Sequence, residues 1–406
     1  MSYRALARKS VLAWAGVAVG ARMPVAMAPL ALVFLVRERP GGYTLGALLA
    51  AAYVVGEIVG APLLGMRIRA ERARPQLAVG LAVGAVGFGA LGALPAAPVP
   101  LLALFACLAG GAPAAAPGGL RALLTGLVPK RAVAQALSFE SVLTFGVWAL
   151  SPAATAGLAL SVAPRVPLLL AAGLMAVAVP GLWLLPAGWS AGAGEPRAGA
   201  RVLLRAWPVY VTGAASLSLL AMAELILPAL LEQRGLGVGL AGPLLAGFSV
   251  GSSVGAFVYG LRSWPGRLAT QGLVLLLTVA GCVAVVALVP SAAVIAVALA
   301  VAGFFQAGAM LTRNLALREI LPEGALAAGY SVMYAAVGAG YAGSGALAGG
   351  LLRVVSAQGA VLAGVGVTVV LAVVGAVYQG ADRSAVAPPA APGERGSGQR
   401  RVDQQQ

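Results

Sequence analysis

Six charged side chains stand inside long apolar stretches: Arg22, Glu57, Arg121, Glu140, Glu224 and Arg313. An ionised group at mid-bilayer costs roughly 2.5–3.5 kcal/mol even on insertion scales, so each needs a partner or a task. The chemistry open to such residues is ion pairing and proton exchange. The turn between the first two apolar stretches centres near residue 40, and Arg22 and Glu57 lie at similar distances on either side of it. At 1.5 Å per residue this predicts equal depth and an Arg22–Glu57 pair. Arg121 and Glu140 flank the turn at Lys130 and Arg131 in the same way, which predicts an Arg121–Glu140 pair. All four side chains could also point into one cavity and exchange partners. Each pair could be a fixed bridge or a coupling element. Glu224 has no arginine at its depth by this reasoning, and a lone desolvated carboxyl is a natural proton carrier. Arg313, nearer a helix end, is expected to reach the headgroups by snorkelling.

The elements that must position these groups follow from composition. Of 406 residues, 60% are apolar and only 10% are charged, against about 25% charged in an ordinary soluble protein. That excludes a disordered chain. The net charge of +15 does not indicate nucleic-acid binding, because the basic residues lie in short clusters between apolar runs. There is no His, and the two cysteines, Cys107 and Cys282, sit alone in apolar runs. Neither a metal site nor a nucleophile–base constellation is visible, and no cofactor is expected. No phosphate-binding GxxxxGK[ST] loop occurs, so any work draws on a gradient or a partner. Arginine far outnumbers lysine and Ala and Gly abound, the coding bias of a GC-rich bacterium.

Twelve stretches are long enough to cross a bilayer: 11–36, 43–66, 76–95, 99–123, 133–161, 166–186, 207–231, 239–261, 268–289, 291–317, 325–352 and 358–379. The first is too long for a signal peptide and is read as a retained span. The reading is an all-α membrane protein of twelve transmembrane helices. It comprises an N-terminal six-helix bundle (1–187), a cytoplasmic linker (188–206), a C-terminal six-helix bundle (207–380) and a disordered cytoplasmic tail (381–406). Lys and Arg outside the spans favour the side bearing the chain's start, linker and tail by 19 to 5. Both termini are therefore expected in the cytoplasm, with the chain multi-pass in a bacterial inner membrane.

The halves repeat. A shift of 195 residues carries Gly56, Gly60 and Gly65 onto Gly251, Gly255 and Gly260, and Arg67 and Arg72 onto Arg262 and Arg267. A shift of 193 carries Gly110, Pro129, Ser138 and Ser151 onto Gly303, Pro322, Ser331 and Ser344. Such a parallel repeat implies two bundles about an axis along the membrane normal, with a substrate site between them. The small residues of spans 2 and 8 permit close helix approach.

Twelve spans, a central break and the basic loop after span 2 resemble the major facilitator superfamily over residues 10–380. That loop reads Gly65-Met66-Arg67-Ile68-Arg69-Ala70-Glu71-Arg72-Ala73-Arg74, against a family pattern of G-x-x-x-D-R-x-G-R-R. Arg69 stands at the acid position, with Glu71 two residues on. Span 5 keeps a proline in Leu150-Ser151-Pro152-Ala153. The whole is similar to bacterial drug/proton antiporters. The resemblance implies a gating loop at Gly65, Arg67, Arg69, Glu71 and Arg72, and a proton-transfer role for Arg121 with Glu140. It also implies a path lined by spans 1, 4, 7 and 10, which nominates Met23, Met27, Met222, Phe304, Phe305, Gln306 and Met310. The implied function is proton-coupled efflux of a small, partly apolar compound by a monomer in the lipid bilayer. Import of a polar solute such as a sugar, or a transporter-like scaffold or receptor, are the alternatives.

Overall fold

A computed structural model of the chain describes residues 9–39, 42–186, 199–262 and 264–386. The described residues form helices and no strand. The first half holds α1 (Lys9–Val36), α2 (Gly42–Gly65), α3 (Ala73–Ala93), α4 (Val99–Gly111), α5 (Ala116–Leu127), α6 (Val133–Ser161) and α7 (Val166–Gly181). The second holds a short α8 (Ala200–Leu204), then α9 (Trp207–Gln233), α10 (Ala241–Leu261), α11 (Leu268–Leu288), α12 (Ala292–Ile320), α13 (Leu326–Leu351) and α14 (Ala357–Val386). Without water in the hydrocarbon, each backbone amide must be satisfied within its own segment, and helices do this. A proline at the second position opens α4, α5, α7 and α9 (Pro100, Pro117, Pro167 and Pro208). There it costs no hydrogen bond, because that amide has no helical partner anyway.

The expected span 4 is two helices. α4 stops at Gly111 and α5 starts at Ala116, with Pro113 in the turn between them. Pro113 supplies no donor and clashes with the preceding turn, so the helix breaks. The expected tail also starts too early, because α14 runs on to Val386. Residues 387–406 and most of the linker (188–198) lie outside the described residues.

Among the described residues, eleven spans are both long and apolar enough to cross a membrane. α13 supplies the twelfth crossing by length, 26 residues, or about 39 Å. Its tyrosines, serines and glycines keep its hydropathy down. The packing repeats between halves. α1 packs on α6 and α7, α2 on α4, and α3 on α4 and α7; likewise α9 packs on α13 and α14, α10 on α12, and α11 on α12 and α14. The glycine stripes explain the closest of these pairs. A Cβ on Gly56 or Gly60 would run into the carbonyls of Cys107 and Gly111. One on Gly251 or Gly255 would run into those of Ala300 and Phe304, the positions 193 residues further on. The bundles meet along α2–α13, α5–α13 and α6–α10. The fold is two six-helix bundles in parallel pseudo-repeat.

Candidate functional site

Glu140 is the hub of the buried charges. It is 1% exposed, seven residues into α6. Arg121, on α5, donates from Nε to both carboxylate oxygens at 2.8 Å. Arg22, on α1, donates to Oε1 from its Nη2. Its Nη1 donates to Thr144 Oγ1 at 2.8 Å. One carboxylate thus holds two buried guanidiniums, with charge-assisted bonds on each. Trp14 lies under Arg22 with 5.8 Å from guanidinium carbon to ring centroid. Its indole nitrogen donates to Leu120 O at 2.7 Å, so this tryptophan packs and does not lie at an interface.

The expected Arg121–Glu140 contact is present, and the expected Arg22–Glu57 contact is not. α1 packs on α6, which puts Glu140 within reach of Arg22. Glu57 instead accepts a hydrogen bond at 2.6 Å from Tyr334 of α13, in the other bundle. Arg121 also crosses between bundles, donating from Nη1 to Asn314 Oδ1 at 3.4 Å, and lies 5.5 Å from the Tyr330 ring centroid. A third crossing bond runs from the Ser138 hydroxyl to the Ala256 carbonyl. These contacts belong to the half of the molecule nearer the loops after α2, α5, α10 and α12, hereafter the basic end. The α2 terminus seals it: a Cβ on Gly65 would lie 2.6 Å from Ser331 Oγ, and one on Gly118 would lie 2.7 Å from the Ser331 amide nitrogen.

The loop after α2 is held by a residue that the charge pattern does not single out. Gln76 donates to Arg67 O at 2.9 Å and accepts from the Arg69 amide at 2.8 Å. Arg67, Arg69, Glu71 and Arg72 are exposed, and among the described residues Glu71 makes no ion pair. The loop after α10 uses the same device. Gln271 donates to the carbonyls of Trp264, Pro265 and Gly266, and accepts from Tyr259 OH at 2.6 Å. Gln76 and Gln271 are related by the same 195-residue shift as Arg67 and Arg262, so the repeat contained the signal.

Glu224 is exposed on α9, facing the Tyr341 hydroxyl of α13, and so is not the desolvated carboxyl that the sequence suggests. Among the nominated path residues, Met23, Phe304, Phe305 and Met310 are half-buried. Met27 is fully buried. Met222 lies in the core of the second bundle against Gly364, and Gln306 accepts from Ser216 at 2.8 Å. Arg313 does not snorkel: it is 9% exposed and enclosed by helices. Among the described residues, no cluster of His, Cys, Asp or Glu could hold a metal.

No family model matches the sequence, and no curated protein matches it. Solved structures do. The human organic anion transporter MFSD10 (TETRAN) superposes with a TM-score of 0.72 at 15% identity, over 91% of this chain and 99% of that one. FucP, a major facilitator transporter in the outward conformation, gives 0.68 at 14% identity, over 92% and 99%. A bacterial homologue of the iron transporter ferroportin in the outward-facing state gives 0.72 at 16%, over 93% and 98%. The chain has the fold of the major facilitator superfamily transporters.

Proposed function

We propose that the chain is a secondary active transporter that exports a small, partly apolar compound in exchange for protons, its two bundles rocking about the site between them. The observation that carries this reading is the Glu57–Tyr334 bond across the bundle interface at the basic end. By the positive-inside rule that end faces the cytoplasm, so the path is closed on the cytoplasmic side, with both termini in the cytoplasm and the chain in a bacterial inner membrane. Rocking to the inward-facing state must break the Glu57–Tyr334, Arg121–Asn314 and Ser138–Ala256 bonds. Each is worth about 1 kcal/mol net, a barrier that coupling chemistry can overcome.

Charge accounting divides the carboxyls. Glu140 has two cations as partners, so proton uptake there would break two ion pairs. Glu57 accepts from a tyrosine hydroxyl and Glu224 makes no ion pair among the described residues, so proton uptake at either breaks none. These two are the proposed proton carriers. Glu140, Arg121 and Arg22 form the framework that places α1, α5 and α6 around them. Met23, Phe304, Phe305 and Met310 suit an apolar, variable substrate, and a monomer is sufficient for the cycle. Import of a polar solute is the second reading, favoured by the Ser216–Gln306 pair on α9 and α12.

The test is uptake of a fluorescent lipophilic cation into inverted vesicles, with and without a proton gradient. Gradient-driven uptake by the wild type that is lost in Glu57→Gln or Glu224→Gln supports the reading and identifies the carrier. Driven uptake unchanged in both variants removes the coupling assignment. Transport of a neutral sugar with no dye uptake would establish the second reading.

A further inference from the structure

A buried hydroxyl without a partner lies one helical turn from Glu57. Tyr53 of α2 is 1% exposed, and its hydroxyl makes no hydrogen bond among the described residues. A buried donor left unpaired is unfavourable, so this one calls for an acceptor. Four residues apart on one helix, Tyr53 and Glu57 share a face. Helical side chains lean towards the N-terminus, which carries the Glu57 carboxylate back over Tyr53. Tyr53 lies within electrostatic range of both Glu57 and Tyr334. Glu57 is committed elsewhere, because it accepts from Tyr334 in the other bundle. The two tyrosines differ in what holds them. The Tyr53 ring packs on Phe88 of α3, with centroids 6.0 Å apart. It passes α4 at Gly110, where a Cβ would lie 3.1 Å from its Cδ2. These neighbours all belong to the first bundle. Tyr53 therefore stays beside Glu57 when the bundles part, and Tyr334 does not.

Breaking the Glu57–Tyr334 bond would otherwise leave two groups unpaired on α2, the carboxylate and the Tyr53 hydroxyl. We propose that Glu57 exchanges tyrosines as the bundles rock: Tyr334 donates to it when the basic end is closed, and Tyr53 donates to it when that end is open. Tyr53 is thus a positioning residue for a carboxyl proposed to carry the proton. Its unpaired hydroxyl biases the closed arrangement towards opening, and the bond it then gains offsets the one lost. The exchange rests on the rocking cycle proposed above. A second buried donor fits the same pattern: Asn314 Nδ2 of α12 has no partner among the described residues, and its amide oxygen takes the Arg121 bond that also crosses between bundles.

The test is the distance between spin labels at Arg72 and Arg262 in the full-length protein in lipid nanodiscs, with Cys107 and Cys282 replaced by Ala. Tyr53→Phe keeps the ring on Phe88 and removes only the hydroxyl. It should shift the populations about fivefold towards the shorter distance, the worth of one net hydrogen bond. Tyr334→Phe should shift them the other way, and adding Tyr53→Phe to it should reverse that shift. In a Glu57→Leu background Tyr53→Phe should have no effect, because the hydroxyl acts through the carboxylate. A distribution that Tyr53→Phe leaves unchanged, or moves to the longer distance, overturns the exchange while the rocking stands on its two populations. So does an equal shift with and without Glu57, since the hydroxyl would then act through another acceptor. A single distance insensitive to both Tyr334→Phe and Tyr53→Phe overturns the rocking reading, and the exchange with it.

Discussion

Arg121 and Asn314 hold equivalent places in the two halves of the chain, 193 residues apart, and they touch: the guanidinium of one donates to the side-chain oxygen of the other at 3.4 Å. Equivalent positions meet only where a pseudo-twofold axis passes between them, so this contact marks the axis at the basic end. The symmetry is one of shape and not of charge. Glu140 has Met333 as its counterpart under the same shift, and the second half keeps a neutral amide where the first has a cation. The first bundle carries the ion pairs, and the second offers hydroxyl and amide partners to it.

Replacing Glu140 by Gln leaves two guanidiniums buried without a counter-charge. Breaking a buried pair in this way costs about 3–5 kcal/mol. The thermal unfolding temperature of the purified protein should fall markedly. Glu57→Gln, which preserves an acceptor for Tyr334, should unfold close to the wild type. Equal unfolding temperatures for the two variants would show that Glu140 is not the hub described.

Tyr334→Phe removes one of the bonds joining the bundles. Losing about 1 kcal/mol moves a two-state equilibrium about fivefold towards separation at the basic end. The distance between spin labels at Arg72 and Arg262, one on each bundle, should shift accordingly towards the longer population. An unchanged distance distribution would mean that the bond does not hold the bundles together.

The glycines facing Ser331 make a sharper prediction. An added methyl at Gly65 meets the Ser331 side chain, whereas one at Gly118 also meets its backbone nitrogen. Ser331→Gly should therefore rescue Gly65→Ala and fail to rescue Gly118→Ala. Distances between spin labels at Arg72 and Arg262, one on each bundle, report this: they should lengthen in both single glycine variants and return only in the Gly65 double variant. Coupling between residues in contact is what such a cycle isolates.

Gln76→Ala should raise amide hydrogen exchange in the loop after α2 and leave the loop after α10 unchanged. Gln271→Ala should do the reverse. Exchange altered in both loops by either substitution would contradict two self-contained devices.

Much of this arrangement could be read from the chain, and the limits follow contact distance along it. The spans are legible because apolar runs must be helical in lipid. Arg121 meets Glu140 as expected because both flank one turn, where equal depth is a matter of counting. Arg22 meets Glu140 across α1 and α6, which are not consecutive, and Glu57 meets Tyr334 across the two bundles. Counting from a turn says nothing about either. The break between α4 and α5 was written in Pro113, but high apolar content runs straight through it. Gln76 and Gln271 were aligned by the repeat, yet neutral amides draw less notice than charges in a basic loop.

The composition of α13 has a consequence for how the protein is made. With Tyr330, Tyr334, Tyr341, Ser331 and Ser344 along it, this helix is not among those apolar enough to cross on their own, and partitioning from the translocation channel into lipid depends on that apolarity. Surfaces already in the bilayer can supply what its composition does not. Its neighbours α2, α5 and α9 all precede it on the ribosome. A second half synthesised alone would lack two of those surfaces, α2 and α5.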